Sequence, residues 1–487
     1  MAILRAGSGV LRRKPIEHLE EPEAGGEQLT RVLGLWQLTA IGVGGIIGAG
    51  IFTLAGAVAN GIAGPAVVVS FLIAGIASAA AAFSYAEFAG LIPKAGSAYT
   101  YGYAVLGELV GWFIGWDLLL EYTAIVAVVA IGISGYFSFL LDALGVEIPA
   151  WMLGAPGTGA GHQVDLIAAL LCLLIAYLLN LGMRNAARFE MAVVALKVVV
   201  VLVVIVVGFL HIDTANYTPF FPYGVSGAFT GAATVFFAVF GYDAMSTAAE
   251  ESRDARRHMP KAIMYSLAIA MVLYVLACLV LTGMQKYTEI DRESGFSTAF
   301  SAVGLRGLAN VIAVGAIIGI LTVMFTFMLG VTRVWFAMSR DGLLPKWFAK
   351  THPTRHVPTR VTWIVGVISA IMAGFLPIVQ VAELTNIGIL LAFVVVCAAV
   401  IVLHYRRPDL PRTFRCPGMP VVPAIGVLFS LWLITFLQWQ TWVRFAAWFV
   451  VGLIVYFGYS YRHSALAGTE TASSGEGTAG GGTSADG

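Results

Sequence analysis

The chain's most reactive candidates are backbone groups rather than side chains. Gly42, Gly44, Gly45, Gly48 and Gly50 put five glycines into nine residues. They sit inside an apolar run long enough to cross a bilayer. Each glycine costs a helix about 1 kcal/mol relative to alanine. An unpaired peptide group in hydrocarbon costs several kcal/mol. The run therefore predicts a helix broken at mid-depth, where the break is covered by protein or lines a cavity. Past the break, the second half presents free N–H groups and a positive dipole end, which suit a carboxylate. The first half ends in carbonyls, which suit an ammonium. A second interruption is predicted at Gly241, in Phe236-Phe237-Ala238-Val239-Phe240-Gly241-Tyr242-Asp243. One glycine is the weaker breaker, and a lone intramembrane glycine commonly serves packing.

Ionisable side chains inside apolar runs are the next candidates. Lys197 lies in Met191-Ala192-Val193-Val194-Ala195-Leu196-Lys197-Val198-Val199-Val200-Val201. It is about ten residues into its helix, or about 15 Å by helix rise. An ammonium at that depth costs at least about 2.5–3.5 kcal/mol. Snorkelling is the bland alternative, but the depth favours a functional lysine that takes up and releases a proton. Glu121, in Trp116-Asp117-Leu118-Leu119-Leu120-Glu121-Tyr122, is either a polar tie between helices or an acid facing a cationic solute. Asp117 is a candidate relay group, and Asp243 is expected to cap or orient the broken segment. The four cysteines, Cys172, Cys278, Cys397 and Cys416, show no metal-ligand spacing and read as small buried hydrophobes. No metal or organic cofactor is expected.

The elements that must hold these groups follow from composition. The chain has 487 residues, of which 59% are hydrophobic and 11% charged, against about 25% charged in soluble domains. This is an all-α polytopic membrane protein. A net charge of +1 gives no electrostatic case for a nucleic-acid partner. At about 20 apolar residues per crossing, twelve transmembrane helices are predicted, roughly at 36–57, 66–91, 104–141, 165–182, 187–210, 228–250, 261–284, 307–338, 361–378, 382–404, 420–439 and 442–461. Residues 1–30 are polar, so no signal peptide is read there. Lys and Arg crowd alternate loops: Arg12, Arg13 and Lys14, then Arg184 and Arg188, Arg256 and Arg257, Arg340 to Arg360, and Arg406 to Arg415. That bias predicts a plasma-membrane protein with both termini in the cytoplasm. Spans 1 and 6 are both interrupted and lie five helices apart, so spans 1–5 and 6–10 read as inverted repeats.

At this point the chain resembles the amino acid–polyamine–organocation superfamily, and within it the cationic amino acid transporter family in its bacterial form. The resemblance rests on Gly44-Gly45-Ile46-Ile47-Gly48-Ala49-Gly50-Ile51-Phe52, on Glu87-Phe88-Ala89-Gly90-Leu91-Ile92-Pro93-Lys94-Ala95-Gly96-Ser97-Ala98-Tyr99, on Gly241-Tyr242-Asp243-Ala244-Met245-Ser246-Thr247-Ala248-Ala249-Glu250-Glu251, and on Ala337-Met338-Ser339-Arg340-Asp341-Gly342-Leu343-Leu344-Pro345. It implies the leucine-transporter-type 5+5 inverted repeat plus two accessory helices. The organisation expected is a cytoplasmic segment at 1–33, repeats at 34–210 and 211–405, accessory helices at 406–462 and a disordered tail at 463–487.

The resemblance also implies a site. The backbone of Ala49 and Gly50 would hold a substrate carboxylate, and the carbonyls of Ile46, Phe237 and Phe240 its α-amino group. Thr322, Val323, Met324 and Phe327 would wall the side-chain pocket, bordered by Glu121. Lys197 resembles a tethered replacement for the coupling cation of sodium-dependent relatives. The expected activity is amino-acid symport with a proton as the coupling ion. An exchanger without ion coupling and a non-transporting amino-acid sensor are the alternatives. The apolar wall favours neutral solutes and Glu121 cationic ones; the lean is to broad or neutral specificity. Expected partners are a free amino acid, the lipid bilayer and, as a possible addition, a small single-span accessory subunit. Glu87, Arg188, Glu251, Arg340 and Asp341 are charges at helix ends, either paired locally or joined in a gate. No enzyme motif is credibly placed.

Overall fold

A computed structural model describes residues 33–92, 97–181, 186–246, 249, 252–350 and 358–464. The basic stretch before residue 33, Arg184, Thr247, Ala248, Glu250, Glu251, Arg355 and the Gly/Ser/Thr-rich tail lie outside these described residues, as does the Arg188 side chain. Among the described residues the longer helices are, in order, α1 (Leu35–Ile46), α2 (Val67–Leu91), α3 (Glu108–Ala143), α4 (Leu166–Leu181), α5 (Ala186–Phe209), α6 (Gly224–Thr234), α7 (Ala255–Met284), α8 (Arg306–Arg340), α9 (Thr359–Phe375), α10 (Ile378–Arg406), α11 (Val421–Ile434) and α12 (Trp439–Val455). Among the described residues the only β-type pairings are the isolated bridges Leu33–Ser252 and Leu153–Asp165.

Among the described residues, seven stretches are long and apolar enough to cross a membrane: Leu35–Leu91, Glu108–Ala143, Met191–Phe209, Ala255–Met284, Arg306–Arg340, Ile378–Arg406 and Trp439–His463. Leu166–Leu181, Thr359–Phe375 and Val421–Ile434 are shorter apolar helices. Two expected boundaries move for local reasons. Gly107, at φ +114°, separates α3 from a short helix at Ser97–Val105. The span expected at 228–250, with its interruption at Gly241, starts earlier, at Gly224, and is divided into α6, a 3₁₀ turn at Phe236–Val239 and a short helix at Tyr242–Ser246.

The most extensive helix pairs are α3 with α8, α2 with α7, and α4 with α9. Glycines let these backbones approach. A Cβ at Gly366 of α9 would lie 2.6 Å from Ala176 Cβ of α4, and one at Gly75 of α2 would lie 2.2 Å from Met271 of α7.

Two polar ties hold the ends of the bundle. Glu87 in α2 pairs with Arg412, Nε to Oε1 at 2.8 Å, with side chains 1% and 2% exposed. The other Glu87 oxygen accepts from the Cys416 N–H at 2.7 Å. Asp165 caps α4, where Oδ1 accepts from the Ala168 N–H at 2.9 Å and from the Ser134 hydroxyl at 2.6 Å. Burial outweighs those bonds and pushes the Asp165 carboxyl up to about 6.

Removing one partner of a buried ion pair leaves the other charge stranded. Arg412→Ala should therefore cost roughly 3–5 kcal/mol, read as a large fall in melting temperature in detergent. The Asp165 carboxyl is raised in the folded state, so its stabilising contribution is complete below its ordinary value of 3.8 and is lost as pH rises through about 6. Asp165→Asn keeps the cap and should flatten thermal stability between those two values.

Candidate functional site

The first predicted break exists as backbone geometry. α1 stops at Ile46, and Ile47 is extended at φ −74°, ψ 104°. The chain then turns back into helix, with Ala49 helical and a wide, π-type turn at Gly50–Leu54. The leading N–H groups of that second segment have no preceding turn to donate to. The orphaned carbonyls at the end of α1 are met by side chains. Tyr274 Oη of α7 donates to the Ile46 carbonyl at 2.6 Å.

The second break is wider. Past Thr234 come the 3₁₀ turn and then Phe240, extended at φ −102°, ψ 166°. Gly241 has φ +126°, a conformation that L side chains rarely adopt. The Ser78 hydroxyl of α2 donates to the Val239 carbonyl at 3.1 Å. Asn386 of α10 accepts from the Phe237 N–H at 2.6 Å and donates to the Thr234 carbonyl at 2.7 Å.

The two breaks touch. A Cβ on Gly45 would lie 2.8 Å from the Gly241 carbonyl oxygen, and one on Gly50 would lie 2.2 Å from Ala238 Cβ. The other glycines of the cluster serve contacts with different helices. Gly42 backs onto Ser266 of α7, Gly44 onto Val194 of α5, and Gly48 onto Val323 of α8. Gly42, Gly44 and Gly45 thus lie within α1 as close-packing positions; Gly48 and Gly241 sit in the breaks themselves.

Lys197 does not snorkel. It is fully buried, and its Nζ donates to the Gly44 carbonyl, two residues before α1 ends. Gly319 of α8 makes room for its stem, since a Cβ there would lie 2.9 Å from Lys197 Cβ. The lysine therefore stands where α1, α5 and α8 meet.

A group of acids lies beside the second break. Asp117 and Glu121, one turn apart on α3, are buried, and their carboxylate oxygens have no hydrogen-bond partner among the described residues. Glu121 is within electrostatic range of Asp117 and Asp243. Asp243 accepts from the hydroxyl of Tyr122, and its own carbonyl accepts from Ser246 at 2.5 Å. Tyr122 packs edge-on against Phe327 of α8, centroids 5.1 Å apart. Val323, Met324 and Phe327 form a buried α8 face. Thr322 is only half-buried, and its hydroxyl bonds back to Gly319.

The structure thus brings Ile46, Ala49, Gly50, Phe237 and Phe240 into one buried region, with Lys197 behind α1 and Glu121 beside Asp243. Of the helix-end charges, Glu87 pairs with Arg412 and Asp341 accepts from Tyr99 at 2.7 Å, while Glu251 and the Arg188 side chain lie outside the described residues. The sequence reading missed Asn386, Tyr274, Ser78 and Arg412. Asn386 carried a usable signal, as an amide inside an apolar span. Tyr274 and Ser78 carried none, because a lone tyrosine or serine is ordinary in such helices.

Apolar helices with two interrupted members meeting in the interior define a multi-pass membrane permease. The chain belongs to the amino acid permease family, whose model, described as "Amino acid permease", matches residues 33–459. It is similar to the "Methylthioribose transporter" of Bacillus subtilis (strain 168), 44% identical over 94% of this chain and 99% of that one. It is equally similar to the "Branched-chain amino acid permease BcaP" of the same organism, 44% identical over the same shares. A more distant relative is the "Cationic amino acid transporter 4, vacuolar" of Arabidopsis thaliana, 36% identical over 82% of this chain and 68% of that one. This is a transporter rather than an enzyme.

Gly241→Ala would combine an unfavourable φ with a Cβ 2.7 Å from the Gly45 carbonyl group. Strain of this kind costs on the order of 1–3 kcal/mol, before the clash. The expected result is a lower melting temperature together with lost uptake in proteoliposomes. Wild-type uptake in this variant would mean that the contact between the breaks is dispensable.

Proposed function

We propose that the chain is a proton-coupled symporter of neutral, branched-chain amino acids, working by alternating access around the meeting of the two breaks. The meeting of the breaks is the observation that carries this reading. A free amino acid offers a carboxylate and an ammonium on one carbon. Free N–H groups at Ala49 and Gly50 suit the first, and unwound carbonyls at Ile46, Phe237 and Phe240 suit the second. The close approach of Gly50 to Ala238 supports this pairing of donors and acceptors.

The pairing of α3 with α8, α2 with α7 and α4 with α9 supports twelve crossings built on a 5+5 inverted repeat. Each is the pairing of a helix with its counterpart five places on. α11 and α12 would be accessory, and both termini cytoplasmic by the loop-charge bias.

Proton coupling rests on Lys197. A protonated Nζ bound to the Gly44 carbonyl ties α5 to the broken end of α1. Loss of the proton removes the donor's charge and loosens α1, so loading and conformation are linked. Asp117, Glu121 and Asp243 are the groups able to pass a proton along α3 toward the second break.

The α8 face of Val323, Met324 and Phe327 is apolar and adaptable, which suits a branched aliphatic side chain. The name of one relative agrees with that. The other relative, equally identical, is named for methylthioribose, a neutral solute without the amino-acid pair of charges. That name supports a second reading, a carrier for that thio-sugar.

A thermal-shift screen of the purified protein separates the two. Leucine, isoleucine or valine should raise the melting temperature by mass action, while methylthioribose should not. The reverse pattern selects the second reading. In proteoliposomes with an inward proton gradient, Lys197→Ala should reduce uptake to the level seen without a gradient. Gradient-driven uptake that survives the substitution would remove Lys197 from the coupling, and counterflow with no response to pH in the wild type would favour an exchanger.

A further inference from the structure

We infer that Asn386 of α10 is a positioning residue for substrate recognition: its side-chain amide supplies the donor that the Thr234 carbonyl lacks and the acceptor that the Phe237 N–H lacks, and so holds the unwound carbonyls in register. The inference rests on the reading above, in which those carbonyls receive the ammonium.

The geometry is that of a substituted backbone. The last regular bond of α6 runs from the Val235 N–H to the Gly231 carbonyl at 2.8 Å. The next turn tightens, and the Ala238 N–H donates to Val235 at 2.9 Å. In a continuous helix that N–H would have served the Thr234 carbonyl. Thr234 is left without its helical donor, and Asn386 Nδ2 takes that place at 2.7 Å. The Phe237 N–H, displaced by the same tightening, donates to Asn386 Oδ1 at 2.6 Å.

One planar amide therefore supplies both the donor and the acceptor. Asn386 is fully buried, so no water competes for either bond. The neighbouring Thr385 hydroxyl is turned back to Val381 of its own helix, at 3.2 Å, and does not share the task.

The consequence reaches the substrate. Phe237 and Phe240 lie at and just after the stitched position, and the Phe240 N–H already uses one lone pair of the Phe237 carbonyl, at 3.2 Å. The direction of the remaining lone pairs depends on where Asn386 holds the Phe237 peptide. Without the stitch, the segment can satisfy Thr234 and Phe237 by rewinding toward a regular helix, which turns those carbonyls inward along the helix axis. The ammonium then loses its acceptors, whereas the carboxylate donors on the α1 side keep theirs.

Binding of L-leucine and of 4-methylpentanoate, the same molecule without its amino group, tests this on the full-length protein in detergent. The wild type should prefer leucine. Asn386→Leu, close in size with neither bond, should reduce that preference at least tenfold, through leucine affinity and with little change for 4-methylpentanoate. Asn386→Ala removes both bonds without adding bulk and should likewise reduce the preference at least tenfold; it serves as the test should the leucine variant fail to fold. In transport, KM for leucine should rise in the alanine variant more than the maximal rate falls. A merely structural role would lower the melting temperature of the empty protein and weaken both ligands alike. A folded variant that keeps the wild-type preference overturns the inference alone. A wild type that binds both compounds equally, or neither, overturns the reading of the carbonyls and this inference with it.

Discussion

Every broken peptide group inside a membrane protein must find a partner that the lipid cannot supply. That constraint organises this structure more than any single ion pair. Continuous helices satisfy it internally, but α1 and α6 do not, and side chains from five other helices make up the deficit. Lys197 of α5 serves the Gly44 carbonyl and Tyr274 of α7 serves Ile46. Ser78 of α2 serves Val239, and Asn386 of α10 serves both sides of the α6 gap. Tyr136 of α3 reaches the Phe52 carbonyl in the second half of the first span, at 2.5 Å. An interruption held this way is specified from all around, so it persists as a defined shape instead of fraying.

The same constraint explains the glycines. A stitch works only if the helices come close, and close approach requires the absence of a Cβ. Gly42, Gly44, Gly45, Gly48 and Gly50 face five different neighbours: Ser266, Val194, Gly241, Val323 and Ala238. The cluster reads first as a helix breaker, but most of its members lie in regular helix or in the turn after the gap. Their common property is the contact each one permits. The polar partner and the close contact thus arrive together, and in the proposed cycle a change at one partner, Lys197, is felt by all the helices that α1 touches.

How much of this was legible differs by residue. The helical, membrane-spanning character and the family were open to inspection, because hydropathy and motif order are local properties of the chain. The interruption near Gly48 was legible because five glycines in an apolar run have few other uses. Lys197 was legible because a buried ammonium is costly enough to need a reason. Asn386 was overlooked although it sits in an apolar span, since an amide there commonly bonds within its own helix. Glu87 was assigned to a set of helix-end charges, while its partner is Arg412, more than three hundred positions away. Nothing in the spacing of two such residues signals that they meet.

By itself, then, the order of residues determined where helices form, where two of them fail and which charges are too deep to be incidental. All of these follow from the local cost of removing a group from water. Only the tertiary structure decided which groups repair the failures and that the end of α1, at Gly45, abuts the second gap at Gly241. Those facts depend on which helices become neighbours. The backbone gaps admit many partners of similar chemistry, and packing selects among them by distance.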